Sequence, residues 1–74
     1  MVETLDVKGM MCPMPIVQLA KKMKTMKIGD EVDLIASDIG SKNDVPAWCQ
    51  RTGNQLVEMK EGNGIFTYRI KKLK

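Results

Sequence analysis

Residues 9–29, GMMCPMPIVQLAKKMKTMKIG, place a cysteine framed by two prolines directly before a segment with helical periodicity. Apolar residues recur in this segment at steps of three and four, the spacing that puts them on one face of a helix. They are Ile16, Leu19, Ala20, Met23 and Met26. Gly29 lies just past the periodic stretch, and we expect it to end the helix. The segment therefore predicts an amphipathic helix whose apolar face must be covered by another element.

Alternating segments on both sides of this helix predict two strands. Residues 3–7 alternate polar and apolar side chains, with Leu5 and Val7 on one side. Residues 31–37 alternate in the same way, with Val32, Leu34 and Ala36 on one side. Alternation at every second residue is typical of a strand with one buried face. A strand, a helix and a second strand in this order predict a right-handed crossover between parallel strands.

A second helix is predicted after residue 40, ending near Gly53. The apolar residues at helical spacing in this region are Val45, Trp48 and Cys49. The run SKND at residues 41–44 has the spacing of a capping box. A helix capped by Ser41, however, would place Pro46 beyond the first turn, where its ring clashes with a backbone carbonyl. We therefore expect Asp44 to cap this helix, with Pro46 in the first turn.

The last third of the chain is predicted to be a β-hairpin centred on Asn63-Gly64, because a type I′ turn needs positive φ at both central residues. The pairs in this register are Met59–Tyr68, Val57–Ile70 and Glu61–Phe66 on one face, and Glu58–Arg69 and Lys60–Thr67 on the other. The first face is largely apolar and the second is polar and charged, which supports the register.

Together these elements predict an α+β fold in which residues 1–74 form a single domain. The element order is β-α-β-α-β-β, and a sheet with one charged face must bury the other. We expect a two-layer α/β sandwich, with a four-stranded mixed sheet and both helices on one face. A chain of 74 residues buries a thin core, so its chemistry is expected at the surface.

The composition narrows the classes of function. The chain has a net charge of +3, no histidine, two cysteines and three aromatic residues. It shows no signal peptide and no apolar run long enough to span a membrane, so we expect a cytoplasmic protein with reduced thiols and no membrane contact. Few aromatic residues make direct nucleic-acid binding an unfavoured interpretation. The basic residues form either a solvated face or a docking surface for an acidic protein or RNA. They are Lys21, Lys22, Lys24 and Lys27, and near the end of the chain Arg69, Lys71, Lys72 and Lys74.

Cys12 is the candidate reactive residue. The positive end of a helix stabilises a thiolate and can lower a cysteine pKa from about 8.5 to roughly 3.5–7.5. If Cys12 caps the first helix, Pro13 occupies the first helical position, where a missing N–H is no loss; alternatively the helix begins at Pro15. No acid or base lies close in sequence, which favours transfer of a group between thiols over hydrolysis.

Free cysteines are often small buried hydrophobic residues, and this alternative applies to both thiols. The two prolines beside Cys12 favour a reactive role there, whereas Cys49, next to Trp48, is expected to pack in the core. Among the methionines, Met23, Met26 and Met59 are predicted to lie on core faces. Those that can surround a site at Cys12 are Met10, Met11 and Met14.

Two motifs resemble the TusA family of small sulfur carriers, also called SirA-like. The first is Cys12-Pro13-Met14-Pro15 after Gly9. The second runs from Ala36-Ser37-Asp38 through Ser41 to Asp44-Val45-Pro46-Ala47-Trp48-Cys49, with Gly53-Asn54-Gln55-Leu56 before the hairpin. Both occur in order and at the family's spacing, so the resemblance covers nearly the whole chain.

The resemblance implies the same β-α-β-α-β-β sandwich and a cysteine, Cys12, that carries sulfur as a persulfide. Pro13 and Pro15 match the motif prolines, with Gly9 and Met14 as supporting positions. It implies a cysteine desulfurase or rhodanese-like protein as sulfur donor and a downstream acceptor protein. Destinations in the family include thiolated tRNA, molybdenum cofactor and oxidative sulfur metabolism. We expect a carrier that serves other enzymes rather than an enzyme with its own turnover, and neither a cofactor nor a metal ion.

Asp38 and Asp44 match acidic positions of the family, and we expect them, with Lys21, to contact partner proteins. The chain departs from the family where Asn54 replaces a frequent histidine and where Met10-Met11 replaces a frequent Leu-Arg pair. Two rival interpretations are an RNA-binding module and a copper module of the heavy-metal-associated type. The latter would need a second cysteine where Pro15 stands.

Overall fold

The computed structural model describes residues 2–74 and contains the predicted elements in the predicted order. They are β1 (Val2–Asp6), α1 (Met14–Lys24), β2 (Glu31–Ala36), α2 (Ser41–Thr52), β3 (Gln55–Gly62) and β4 (Ile65–Lys71). The sheet order is β1-β2-β4-β3. β1 pairs with β2 in parallel, while β4 pairs with β2 and β3 in antiparallel fashion. The predicted four-stranded mixed sheet of an α+β fold is confirmed.

One face of the sheet is apolar, and both helices pack on this face. Alternate residues of the two central strands are buried against apolar side chains of both helices. The strand residues are Val32, Leu34, Ala36, Phe66, Tyr68 and Ile70, and the helix residues are Leu19, Met23, Val45, Trp48 and Cys49. On the other face, Arg69 donates two hydrogen bonds to Asp33 at 2.8 and 2.9 Å. A polar face of this kind stays in water, so the helices share the apolar side.

The first helix ends earlier than predicted, at Lys24 rather than next to Gly29. The ammonium group of Lys72 donates hydrogen bonds to the carbonyls of Met23 and Met26, at 2.6 and 2.8 Å. Met23 lies in the last turn of the helix and Met26 just beyond it, so Lys72 satisfies backbone carbonyls at the point where α1 ends. Gly29 instead takes a φ of 97° in the turn before β2, where its N–H donates to the carbonyl of Lys72.

The second helix begins at Ser41, so the prediction that Asp44 caps it was wrong. Gly40 is the N-terminal cap, and Pro46 lies inside the helix. The Ser41 side chain is buried, and its hydroxyl forms a 2.6 Å hydrogen bond with the hydroxyl of Tyr68 on β4. A buried hydroxyl needs such a partner. This tertiary contact holds the first turn in place in spite of the interior proline.

The predicted register of the hairpin is confirmed near the turn, but the pairing differs from the prediction at the end of β3 away from the turn. Asn63 and Gly64 have positive φ, and four predicted pairs form as expected. Beyond them a β-bulge at Val57 makes Leu56, not Val57, the partner of Ile70. Because β3 is an edge strand, Met59 is 45% exposed, and its predicted place in the core was wrong.

Asn54 fastens the end of the chain to the turn after α2. Its side-chain oxygen accepts hydrogen bonds from the backbone N–H groups of Leu73 and Lys74, at 3.0 and 3.4 Å. Its side-chain nitrogen donates to Thr52 Oγ1 at 3.1 Å. Asn54 therefore has a structural role in this chain.

Candidate functional site

Cys12 lies in the loop between β1 and α1, two residues before the helix begins. Pro13 is the N-terminal cap, and its carbonyl accepts hydrogen bonds from the N–H groups of Ile16 and Val17, both at 3.1 Å. Neither predicted helix start, with Cys12 as the cap or at Pro15, is observed. Pro13 and Pro15 fit here because the first N–H groups of a helix have no intrahelical partner to lose. The Cys12–Pro13 peptide bond is cis.

The loop before Cys12 is held against the end of β2. The Val7 N–H donates to the Ile35 carbonyl at 2.8 Å, and the Gly9 N–H donates to Ser37 Oγ at 2.9 Å. Gly9 has a φ of 84°, a conformation that residues with a Cβ rarely adopt. Gly9 thus turns the chain, and Ser37 fixes the turn. Sequence reasoning missed this role of Ser37, although the parallel pairing of β1 and β2 brings the two strand ends together.

Two carboxylates, both in the loop and helix that follow β2, contact Cys12. Its exposed thiol donates a hydrogen bond to Asp44 Oδ2, with 2.8 Å between Sγ and oxygen. Its backbone N–H donates to Asp38 Oδ2 at 3.0 Å. The structure therefore brings both predicted acidic residues to the candidate cysteine. Asp44 binds the thiol of Cys12, and Asp38 binds its backbone N–H.

These carboxylates raise the pKa of the Cys12 thiol above its ordinary value. The largest cause is the hydrogen bond to Asp44, followed by desolvation and by the negative charges of Asp44 and Asp38. The predicted lowering by the helix terminus was wrong. A helix dipole acts within its first turn, and a hydrogen-bonded carboxylate is closer and carries a full charge.

An open groove runs from Cys12 between the two helices and has a volume of about 230 Å³. Cys12, Pro13 and Ile16 line one side of it. Asp44, Ala47 and Arg51 line the other side. These last three residues are spaced by three and four positions, so they share one face of α2. Sequence reasoning missed Ala47 and Arg51, although their helical spacing from Asp44 was a usable signal.

Exposed apolar side chains accompany the thiol. Met10, Met11 and Met14 are exposed next to Cys12 along the chain. Lys21, in contrast, lies in the last turn of α1. At 1.5 Å per residue this is about 10 Å along the helix axis from Met14. The structure therefore does not bring Lys21 to the site.

Cys49 has the opposite environment. Its side chain is buried in the core beside Trp48, as predicted, and burial raises its pKa to about 11. Both cysteines are free thiols. Cys12 is therefore the thiol that a reagent or partner protein can reach.

No helix within residues 2–74 combines the length and the apolar character that crossing a membrane requires.

Comparisons with known proteins agree with these features. The family described as "Sulfurtransferase TusA" matches residues 3–72. The sulfur carrier protein TusA of Allochromatium vinosum is 41% identical over 70 residues, covering 95% of this chain and 92% of the relative. The protein of the same name from Pseudomonas paraeruginosa is 35% identical over 68 residues, covering 92% and 86%.

The fold has a solved counterpart. The crystal structure of a SirA-like protein from Desulfitobacterium hafniense superimposes with a TM-score of 0.83 at 22% identity, covering 100% of both chains. At this identity the likeness supports the fold. The matches in sequence carry the family assignment, and this chain belongs to the TusA family of sulfur carriers.

Proposed function

We propose that this chain is a cytoplasmic sulfur carrier that accepts sulfane sulfur as a persulfide on Cys12 and passes it to an acceptor protein. The observation that carries this proposal is the contrast between the thiols: Cys12 is exposed at an open groove, and Cys49 is 2% exposed. A carrier atom must be reached by two different proteins in turn. Only an exposed sulfur allows this.

The chemistry is an exchange between thiols. The Cys12 thiolate attacks the outer, sulfane sulfur of a donor persulfide, R–S–SH. A new S–S bond forms to Cys12, and the S–S bond of the donor breaks. The donor leaves as a thiolate and takes up the proton that Cys12 lost. Delivery repeats the exchange, with an acceptor thiolate attacking the outer sulfur on Cys12, so no oxidant or reductant is consumed.

The residues around Cys12 support this role without taking part in the bond changes. Gly9 and Ser37 hold the loop, while Pro13 and Pro15 set the direction in which the chain enters α1. The exposed methionines and the open groove offer a partner protein apolar area around the sulfur. Such a surface suits brief docking by more than one partner.

Membership in a sulfur carrier family implies a sulfur donor and a sulfur acceptor in general. We propose a cysteine desulfurase or a rhodanese-like protein as donor, and thiolated tRNA or another sulfur-containing product as the destination. A cytoplasmic location belongs to the same proposal because the carrier thiol must stay reduced. A partner that covers the groove and the full length of α1 would also contact Lys21.

The test is sulfur loading followed by intact-mass measurement. Incubation with a cysteine desulfurase and cysteine should add one sulfur atom to the chain, removable by a reducing agent. Cys12→Ala should abolish this gain. Cys49→Ala is the matched control and should retain it. A full gain in Cys12→Ala would refute the assignment of Cys12.

A further inference from the structure

Asp38 and Asp44 differ from other acidic residues of this chain. Most of the acids form ion pairs within the described part of the chain: Glu3 with Lys22, Asp6 with Lys8, Glu61 with Lys42, Glu58 with Lys60, and Glu31 and Asp33 with Arg69. Neither Asp38 nor Asp44 pairs with a lysine or arginine of residues 2–74. This occurs although Lys and Arg outnumber Asp and Glu by 12 to 9. The uncompensated negative charge lies at the candidate nucleophile.

We propose that Asp44 holds the Cys12 thiol in its protonated resting form, and that the sulfur donor releases it by placing a lysine or arginine side chain against Asp44. This inference rests on the proposed function. It adds a regulatory role for Asp44 and the chemistry of the partner surface that docks there.

The geometry carries the first half of the proposal. Cys12 Sγ lies 2.8 Å from Asp44 Oδ2, and the thiol must donate its proton to make this hydrogen bond. Loss of that proton would put a thiolate directly against a carboxylate, and like charges at this distance disfavour ionisation. Since the thiolate is the nucleophile, the contact lowers the reactivity of the free chain.

The remaining charged groups at Cys12 do not relieve this effect. From the β2–α2 loop, Asp38 adds a second negative charge and accepts the Cys12 N–H. From α2, Arg51 lines the same groove, but it is seven residues from Asp44, about 10 Å along the helix. The start of α1 offers only Pro13, Met14, Pro15 and Ile16, which carry no charge. Within residues 2–74 no lysine or arginine pairs with Asp44, so we assign the neutralising cation to the partner protein.

The second half of the proposal, a lysine or arginine on the sulfur donor, follows from charge complementarity. A lysine or arginine that pairs with Asp44 takes over the acceptor oxygen and cancels its charge, so Cys12 can lose its proton when the donor's sulfane sulfur is in place. The same arrangement selects against donors with an acidic surface around their sulfur. Selectivity of this kind for positive charge should weaken as salt is added.

The decisive experiment uses small disulfides of opposite charge as probes. Cys12 attacks one sulfur, a mixed disulfide forms, and the other half leaves as a thiol with the proton that Cys12 lost. Cystamine carries ammonium groups, and 3,3′-dithiodipropionate carries carboxylates. The wild-type chain should react at least about 5-fold faster with cystamine than with 3,3′-dithiodipropionate. This ratio is divided by the same ratio measured for a short cysteine peptide, which removes the intrinsic difference between the two reagents. In Asp44→Asn this preference should fall towards that of the peptide and retain only the smaller part that Asp38 contributes.

Alkylation by neutral iodoacetamide provides the second readout. Asp44→Asn should react roughly 10-fold faster than wild type at pH 7, because the variant lacks the carboxylate that holds the thiol proton and so has a lower thiol pKa. Glu58→Gln is the matched control because it removes the same charge on the edge strand, away from Cys12, and it should change neither readout. The wild-type pH–rate profile alone should have a midpoint above that of the peptide.

A slower or unchanged alkylation rate in Asp44→Asn, or a charge preference equal to that of Glu58→Gln, would overturn the role of Asp44. A wild-type midpoint below that of the peptide would do the same without any variant. Failure of the carrier function is separate: it would appear as absence of sulfur gain from a persulfide donor, while disulfide exchange at Cys12 still reports on Asp44.

Discussion

The two cysteines lie on different sides of the same helix and show how position decides the fate of a thiol. Cys12 lies at the groove beside α2, and its thiol donates a hydrogen bond to Asp44. Cys49 belongs to α2 and is buried in the core. Both thiols have a raised pKa, the first mainly through a carboxylate and the second through burial. Access to solvent and partners, rather than acidity, therefore separates the carrier candidate from the structural cysteine.

The largest expected effect is the difference in alkylation rate between the two cysteines. Cys49 reacts only when the structure opens, and native domains are typically stable by about 5 kcal/mol or more, so Cys12 should react roughly 10³-fold faster or more. Timed iodoacetamide labelling, followed by mass spectrometry of the two cysteine peptides, measures this ratio. In denaturant the two rates should become similar. Comparable rates in the native protein would contradict the assigned burial.

Loss of the hydrogen bond between Ser41 and Tyr68, which holds the start of α2, should have an intermediate effect on stability. Ser41→Ala or Tyr68→Phe leaves a buried hydroxyl without its partner and should lower the free energy of unfolding by about 1–3 kcal/mol. Because both changes break one hydrogen bond, the double variant should lose less than the sum of the single losses. Urea denaturation monitored by Trp48 fluorescence provides the values.

Thr67→Val is a suitable control for this hydrogen bond. It removes a hydroxyl from β4 at the position before Tyr68, on the opposite face of the sheet, and should change stability by at most about 0.5 kcal/mol. Single variants at positions 41 and 68 as stable as this control would show that the hydrogen bond does not anchor the helix.

The smallest expected effect is the contribution of Cys49 to the pH dependence of the free energy of unfolding. Its pKa is about 11 in the folded chain against an ordinary value of 9.0. Above pH 9 the unfolded chain loses this proton while the folded chain keeps it, so stability falls as the pH rises from 9 towards 11. The loss attributable to this thiol should be on the order of 1–2 kcal/mol.

Cys49→Ala should lack this component. The difference in unfolding free energy between wild type and Cys49→Ala, measured at pH 8 and pH 10.5, isolates it from other titrating groups. A difference that is the same at both pH values would mean that the folded chain does not hold the Cys49 proton more tightly than the unfolded chain.

Local patterns predicted most of the architecture. The helical spacing of apolar residues in α1 and the alternation in β2 both proved to mark buried faces. Asn63-Gly64 predicted the hairpin and most of its pairs. Several errors share a cause, since they depend on parts of the fold that are far apart along the chain. Lys72 ends α1, and Tyr68 anchors the start of α2. The edge position of β3 leaves Met59 exposed.

The sequence by itself determined the order of elements, their apolar faces and the place of Cys12 just before a helix, because these follow from periodicity and chain geometry within a few residues. Only the tertiary structure decided which groups surround the sulfur. Asp38 and Asp44 are 26 and 32 residues away along the chain, yet both contact Cys12. Electrostatic interactions depend on distance in space, so the fold reversed the direction in which the thiol pKa was predicted to move.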